Sequence, residues 1–499
     1  MGARRFDSRY YLVSSLALIG TCVSHGALAA DDSVQAFIDP SGITATVDIN
    51  GRVNTNSAFF QSLGTNGRSC STCHVASQAM SISPSDVRER FARSAGSDPL
   101  FAPVDGANCP TGRSGVAADH SLLLQHGLIR IAIAMPANAQ FTISVVHDPY
   151  GCAILPNPAG GPFVSVYRRP LPSSNLGFLS TVMFDGRETA QPLNSKPTFI
   201  NNLTQDLTNQ ALHATQGHAQ ASTNPSSAQL ADIVNFELGL FSAQAFDARA
   251  GWLHAQGADG GPAFLAGLQP EYYPGQNDVL GADPDGLPFN NSAMTLFNAW
   301  SNIQNNDGDY FEWIRDEARR AIAAGEVVFN TATAHISTVR GLNDNAALGK
   351  PAVFNGNCTT CHDTPDVGNH SLPLPLDIGT SHSTRSGMEN DPNIIAGLSQ
   401  MSMPDLPVYL ISGCPNPFNP GEPESFYTSD PAKALITGQC SDFNRGKGPV
   451  LRGLAARAPY FHNGSAANLT ELVNFYDQRF QMNLTAQQKS DLIAFLNSL

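Results

Sequence analysis

The chain has 499 residues, a formal charge of −14 and only 14% charged residues, with 43 Gly and 34 Pro. Such a length calls for two or three domains, and the composition excludes coiled coil and collagen. The negative balance argues against a nucleic-acid partner, whose phosphates it would repel, while hydrophobic residues at 42% are ample for buried cores.

In chain order, Arg4, Arg5 and Arg9 precede an apolar run from Tyr10 to Val23, and Ala27-Leu28-Ala29 offers small residues for cleavage. Residues 1–29 therefore read as a secretory signal peptide. The run is shorter than the ~20 apolar residues needed to span a bilayer, and no later segment is apolar enough to span. The expectation is a periplasmic protein with no membrane span after cleavage.

Two copies of one motif come next, Cys70-Ser-Thr-Cys73-His74 and Cys358-Thr-Thr-Cys361-His362. The C-x-x-C-H run is the attachment sequence of c-type haem: two thiols form thioethers with the vinyl groups, and the adjacent imidazole reaches the iron. A four-sulfur zinc site would leave both histidines unexplained, and a thioredoxin-like pair lacks the alternation of strand and helix it needs. Two covalent haems are expected, with Cys70, Cys73, Cys358 and Cys361 as attachment points and His74 and His362 as iron ligands. In an oxidising compartment Cys109 with Cys152, and Cys414 with Cys440, are the natural disulfides, with free buried cysteines as the alternative.

Between the motifs, Leu128 to Ala134 and Phe141 to Val146 are short apolar, β-branched runs bounded by turn residues, and predict strands. Gly257 to Asn291 reads as loop. Phe311, Ile314, Ala318, Ile322 and Phe329 recur at helical spacing, predicting a helix over 309–329. The polar run Asn305–Gly308 before it places a boundary at 308, dividing the mature chain into haem-bearing halves 30–308 and 309–499. Thr485 with Gln488 matches a capping box, ahead of an apolar stripe of Leu492, Phe495, Leu496 and Leu499. The expected fold class is mainly α: two cytochrome c-like haem domains with long loops and a small β insertion in the N-terminal half.

The second half resembles the di-haem cytochrome c peroxidase and MauG family. The resemblance rests on Asp363-Thr-Pro365, Asp377-Ile378-Gly379-Thr380, Leu451-Arg452-Gly-Leu, Ala458-Pro459-Tyr460-Phe461-His462-Asn463-Gly464-Ser465 and Leu469-Thr-Glu471-Leu-Val-Asn-Phe-Tyr476. The first half matches more patchily, through the Cys70 motif, Arg168-Arg169-Pro170 and Phe184-Asp185-Gly186-Arg187.

The resemblance implies a sixth ligand for the second haem, fourteen positions after His462. The peroxidase branch has Met at that place and the MauG branch Tyr; this chain has Tyr476, implying a phenolate. A phenolate favours ferric iron, whereas a thioether raises the potential. A core tyrosine is the plainer alternative, and Met482 is the nearest competing ligand. At the first haem, Gln210 matches a distal-pocket glutamine of the family. Ten residues on, where the family has Glu, stands Gln220, which cannot act as a base. His218 is the nearest titratable substitute, as base, as iron ligand closing the site, or as a surface histidine; His213 is a weaker candidate. Phe184 stands where the family commonly has a relay Trp, and Trp252, Trp300 and Trp313 read as core. Calcium between the halves is a further family cofactor, with Pro459 and its neighbours offering carbonyls, but Arg169 replaces the family's Asn there.

The resulting expectation is an exported di-haem oxidoreductase using hydrogen peroxide, or dioxygen, at the Cys70 haem. The Cys358 haem would be electron relay or store, and a periplasmic electron donor or protein substrate would complete the cycle. The alternatives are a non-catalytic di-haem electron-transfer cytochrome and a di-haem oxygenase acting on an apolar substrate.

Overall fold

The computed structural model describes residues 33–193, 196–268, 274–304, 309–383, 392–419, 421 and 423–499. The signal segment and the polar run 305–308 lie outside the described residues.

The described chain is not mainly α. It is 32% helix and 16% strand, with four antiparallel sheets. Strand also runs well beyond the N-terminal insertion. Val34–Asp39, Gly42–Asp48, Leu240–Asp247 and Gly251–Trp252 form one sheet in that order. It begins with a tight turn in which Asp39 Oδ1 accepts from the N–H groups of Ser41 and Gly42 at 2.7 and 3.0 Å. Gly42 is required there, since a Cβ would lie 2.1 Å from the carbonyl oxygen of Phe246.

The two strands expected in the first half are present as Ile129–Ala134 and Thr142–His147. They join different sheets. Ile129–Ala134 pairs with Phe163–Arg168, which also pairs with Ile154–Leu155. Thr142–His147 instead pairs with Val408–Pro415, whose other neighbour is Pro423–Thr428. One sheet is thus assembled from segments some 260 residues apart, and a shared apolar cluster including Phe141, Val164, Tyr409 and Phe426 lies behind it. Both expected disulfides are formed, Cys109–Cys152 and Cys414–Cys440.

The helix expected over 309–329 spans Tyr310–Thr331, with Asp309 as its N-cap. The terminal helix, Ala486–Asn497, starts at the Thr485/Gln488 capping box. The two pack closely because residue 325 is glycine: a Cβ there would lie 2.0 Å from the carbonyl oxygen of Asp491. Leu492, Phe495, Leu496 and Leu499 are buried in the same core as Phe329 and Trp300. The 257–291 segment is mostly loop, but it carries the short helix Pro262–Gly267. Of the three tryptophans expected in cores, Trp300 is buried, while Trp313 is 41% exposed.

Candidate functional site: two cavities with a common wall

Each C-x-x-C-H motif lies on a single helical turn beside a cavity. In the first, residues Cys70–Thr72 form a 3₁₀ turn, and the His74 N–H donates to the Cys70 carbonyl at 3.0 Å, which keeps both cysteines and the histidine together. His74 Nδ1 donates to the Met80 carbonyl at 3.1 Å. That bond leaves Nε2 with its lone pair, the tautomer an iron ligand needs. Burial lowers the His74 pKa to about 4, so the ring is neutral.

The second motif is anchored by the end of the Tyr310–Thr331 helix. Thr359 Oγ1 donates to Asn330 Oδ1 at 2.8 Å, and Asn357 Nδ2 donates to the Asn330 carbonyl. His362 N–H donates to the Cys358 carbonyl at 2.9 Å. Burial lowers the His362 pKa to about 4 as well, against an opposing backbone hydrogen bond with Val367.

Burial also pushes the four thiols up, Cys73 to about 11 and Cys70, Cys358 and Cys361 to about 12. The two pairs lie in separate cavities, which opposes a shared four-sulfur zinc site. Paired thiols beside one neutral imidazole, over a mostly apolar hollow, fit covalent haem.

The first cavity, of ≈ 150 Å³, is lined by Cys70, Cys73, His74, Gln210, His218 and Glu237, among others. The helix Phe199–Gly217 turns Gln210, Ala211, Ala214 and Thr215 toward it, one face at helical spacing. His218 is the C-cap residue of that helix. Its Nδ1 donates to the buried carboxylate of Asp105, whose other oxygen pairs with Arg68. Burial alone would raise the Asp105 carboxyl, but His218 and Arg68 hold it below the usual range. His218 Nε2 makes no hydrogen bond to a described residue. The His218 ring lines the cavity and is held from behind by Asp105, with 39% of its side chain exposed.

His213 faces outward and pairs with Glu188. Gln220 donates nothing to the cavity; its side-chain oxygen accepts from Asn66 at 3.3 Å.

The second cavity, of ≈ 230 Å³, is lined by Cys358, Cys361, His362, Tyr476 and Met482, among others. Tyr476 lies on the helix Leu469–Arg479, which Asn468 caps by accepting from Glu471 N–H at 3.0 Å. Its ring faces His362 at 6.5 Å between centroids and an angle of 81°, and Phe461, Phe475 and Phe480 pack around it. The hydroxyl makes no hydrogen bond to a described residue. Burial raises its pKa.

Arg169, Pro170, Leu171 and Phe184 line both cavities. Phe184 stacks on His462 at 4.5 Å and 13°, under the guanidinium of Arg168 at 5.0 Å. Arg168 pairs with Asp185 and Asp430, one from each side of the wall.

Three residues of these sites carried no sequence signal of their own. Asp105 is 113 positions from the histidine it orients. Glu237, a buried carboxyl raised to about 7 by desolvation, sits in the first cavity. Lys447, in the second, donates to the Thr181 carbonyl at 2.9 Å.

No family model matches the chain. It is 30% identical over 153 residues to the cytochrome-c peroxidase IdrP2 of Denitromonas iodatirespirans, covering 29% of this chain and 36% of that one. It is 28% identical over 214 residues to the cytochrome-c peroxidase IdrP1 of Pseudomonas sp. (strain SCT), covering 38% and 50%. The chain thus spans about a third to a half of the length of the curated relatives it matches. Its likeness to cytochrome-c peroxidases is real but partial. A solved structure, described as a MauG-like protein associated with microbial copper homeostasis, aligns over 89% of the chain and 87% of its own at 13% identity and a TM-score of 0.31. That is too distant for residue roles to be carried across. No helix among the described residues is long and apolar enough to cross a membrane.

Proposed function

We propose that the chain is an exported di-haem c-type oxidoreductase of the cytochrome c peroxidase and MauG kind. The halves 30–308 and 309–499 would each carry one haem, behind a signal peptide of residues 1–29. The observation that carries this reading is the pair of cavities, each built on a C-x-x-C-H turn with a neutral imidazole, divided by a wall that both share.

When bound, the haems supply the iron that exchanges electrons with peroxide. The first cavity supplies a proton carrier. Reduction of peroxide needs a group that takes a proton from one oxygen and returns it to the departing one. His218 meets the requirement at Nε2, because Asp105 accepts from Nδ1, fixes the tautomer and stabilises the ring when it becomes cationic. Gln210 lies on the same wall and offers an amide to orient a small polar molecule. In the second cavity Tyr476, whose ring lies 6.5 Å from that of His362, would serve as sixth ligand through its hydroxyl. The donor would be a periplasmic redox protein, a protein side chain or a small organic molecule.

His218 also supports a second reading. The same Nε2 could close the first site as an iron ligand, which would make the protein an electron-transfer cytochrome. Electron paramagnetic resonance and absorption titration of the purified holoprotein with peroxide decides between them. A high-spin ferric centre that reacts with peroxide supports the oxidoreductase, and two low-spin centres inert to peroxide reject it. Stable dioxygen binding without peroxide would point to the oxygenase instead.

A further inference from the structure

Arg169 is a buried cation whose side chain meets only backbone carbonyls. Its Nη2 donates to Ile82 O at 2.6 Å and to Arg457 O at 3.0 Å, and its Nη1 donates to His126 O at 2.8 Å. Its own backbone N–H donates to His462 O at 2.7 Å. The acceptors of the guanidinium come from three separate segments, two before and one far after the arginine. The fit is close: a Cβ at Gly127 would lie 2.4 Å from Nη1, and Gly127 has φ +65°. No described carboxylate forms an ion pair with Arg169 or with Arg457.

A convergence of carbonyl oxygens is what a hard cation such as calcium seeks. Here the residues do not fit that ion. The position that would contribute a side-chain oxygen carries a five-donor guanidinium, and the carbonyls it reaches are already bonded to it. A divalent ion would also have to sit beside the charges of Arg169 and Arg457, which repel each other enough that Arg457 helps lower the Arg169 pKa, after burial, to about 9. No group of three or more His, Cys, Asp or Glu suited to a metal occurs among the described residues.

We infer that the Arg169 guanidinium is the cation that ties the first half of the chain to the second beside the wall the cavities share, in place of a calcium ion. Arg169 lines both cavities and fastens Ile82 and His126 on one side to Arg457 on the other. The role is independent of the proposed reaction.

The test uses purified holoprotein. Wild type should contain no stoichiometric calcium by elemental analysis, and its Tm should not move with EGTA or added calcium. Arg169→Asn, which removes the charge and frees the three carbonyls, should lower Tm by about 5 °C or more, and millimolar calcium should restore it. The inference is overturned by one bound calcium per wild-type chain, or by a fall in wild-type Tm with EGTA. An unchanged Tm in Arg169→Asn, or a loss that calcium does not reverse, would overturn it equally. If the variant does not fold, the two wild-type measurements still decide.

Discussion

The imidazole of His218 is held by the carboxylate of Asp105, a residue 113 positions earlier in the chain. Arg68 occupies the other oxygen of that carboxylate and also donates to the Pro99 and Leu100 carbonyls, both at 2.7 Å. The ring is therefore oriented by a buried group whose own partner is fixed by the backbone. A histidine so supported presents Nε2 to the cavity in one tautomer.

His218→Ala should slow the second-order reaction with peroxide by about 10²-fold or more. Asp105→Asn should slow it by a smaller factor, about tenfold, while leaving haem content unchanged. Stopped-flow absorption gives both constants. An unaltered rate in His218→Ala would dismiss it as proton carrier.

Tyr476→Met should raise the potential of the second haem, because a thioether stabilises ferrous iron and a phenolate ferric iron. Spectroelectrochemical titration measures it. If neither potential nor spectrum changes, Tyr476 is not a ligand.

Gly446 has no room for a side chain: a Cβ would lie 2.2 Å from Cζ of Phe184. Gly446→Ala should push Phe184 off His462 and destabilise the fold by about 1–3 kcal/mol. Denaturant unfolding of the holoprotein provides the comparison, and an unchanged midpoint would mean that the ring shifts freely.

Glu326 lies in the core under the terminal helix, where its Oε2 accepts from Phe297 N–H at 3.0 Å. Desolvation raises its pKa from 4.5 to about 7. The folded state thus holds a proton that the unfolded state releases at lower pH, so the linked stability is full below about pH 4.5 and is lost as pH rises toward 7. Glu326→Gln should remove that dependence, gaining up to about 3 kcal/mol relative to wild type at about pH 8 against about pH 4.5. Thermal melts at the two pH values test this, and parallel shifts in both proteins would place the titration elsewhere.

Residues alone disclosed whatever depends on covalent chemistry or a local turn. The Asp309-capped helix and the Thr485 capping box announce themselves within a few positions, and both disulfides follow from the pairing of neighbouring cysteines. The sheets did not. Gly42–Asp48 and Leu240–Asp247 carry Thr44, Thr46, Ser242 and Gln244, all buried and polar, and these satisfy one another, as in the 2.7 Å contact of Thr46 and Ser242. Both strands alternate apolar and polar residues, as in Ile43-Thr44-Ala45-Thr46-Val47 and Phe241-Ser242-Ala243-Gln244-Ala245, but the polar face is buried against a partner some 200 positions away, which a local pattern does not name. Asp105 was hidden for a related reason, since an isolated acidic residue before Gly-Ala-Asn gives no hint of a partner at the end of a distant helix. His218 itself was legible as a candidate, but its support by Asp105 emerges only in the fold.

The strand Thr142–His147 has its sheet partner in Val408–Pro415. During synthesis, N terminus first, that edge stays bare until some 260 further residues have emerged, and an uncovered edge is a template for pairing with the wrong chain. A fragment ending before residue 408 should therefore be sticky however complete its first attachment motif is.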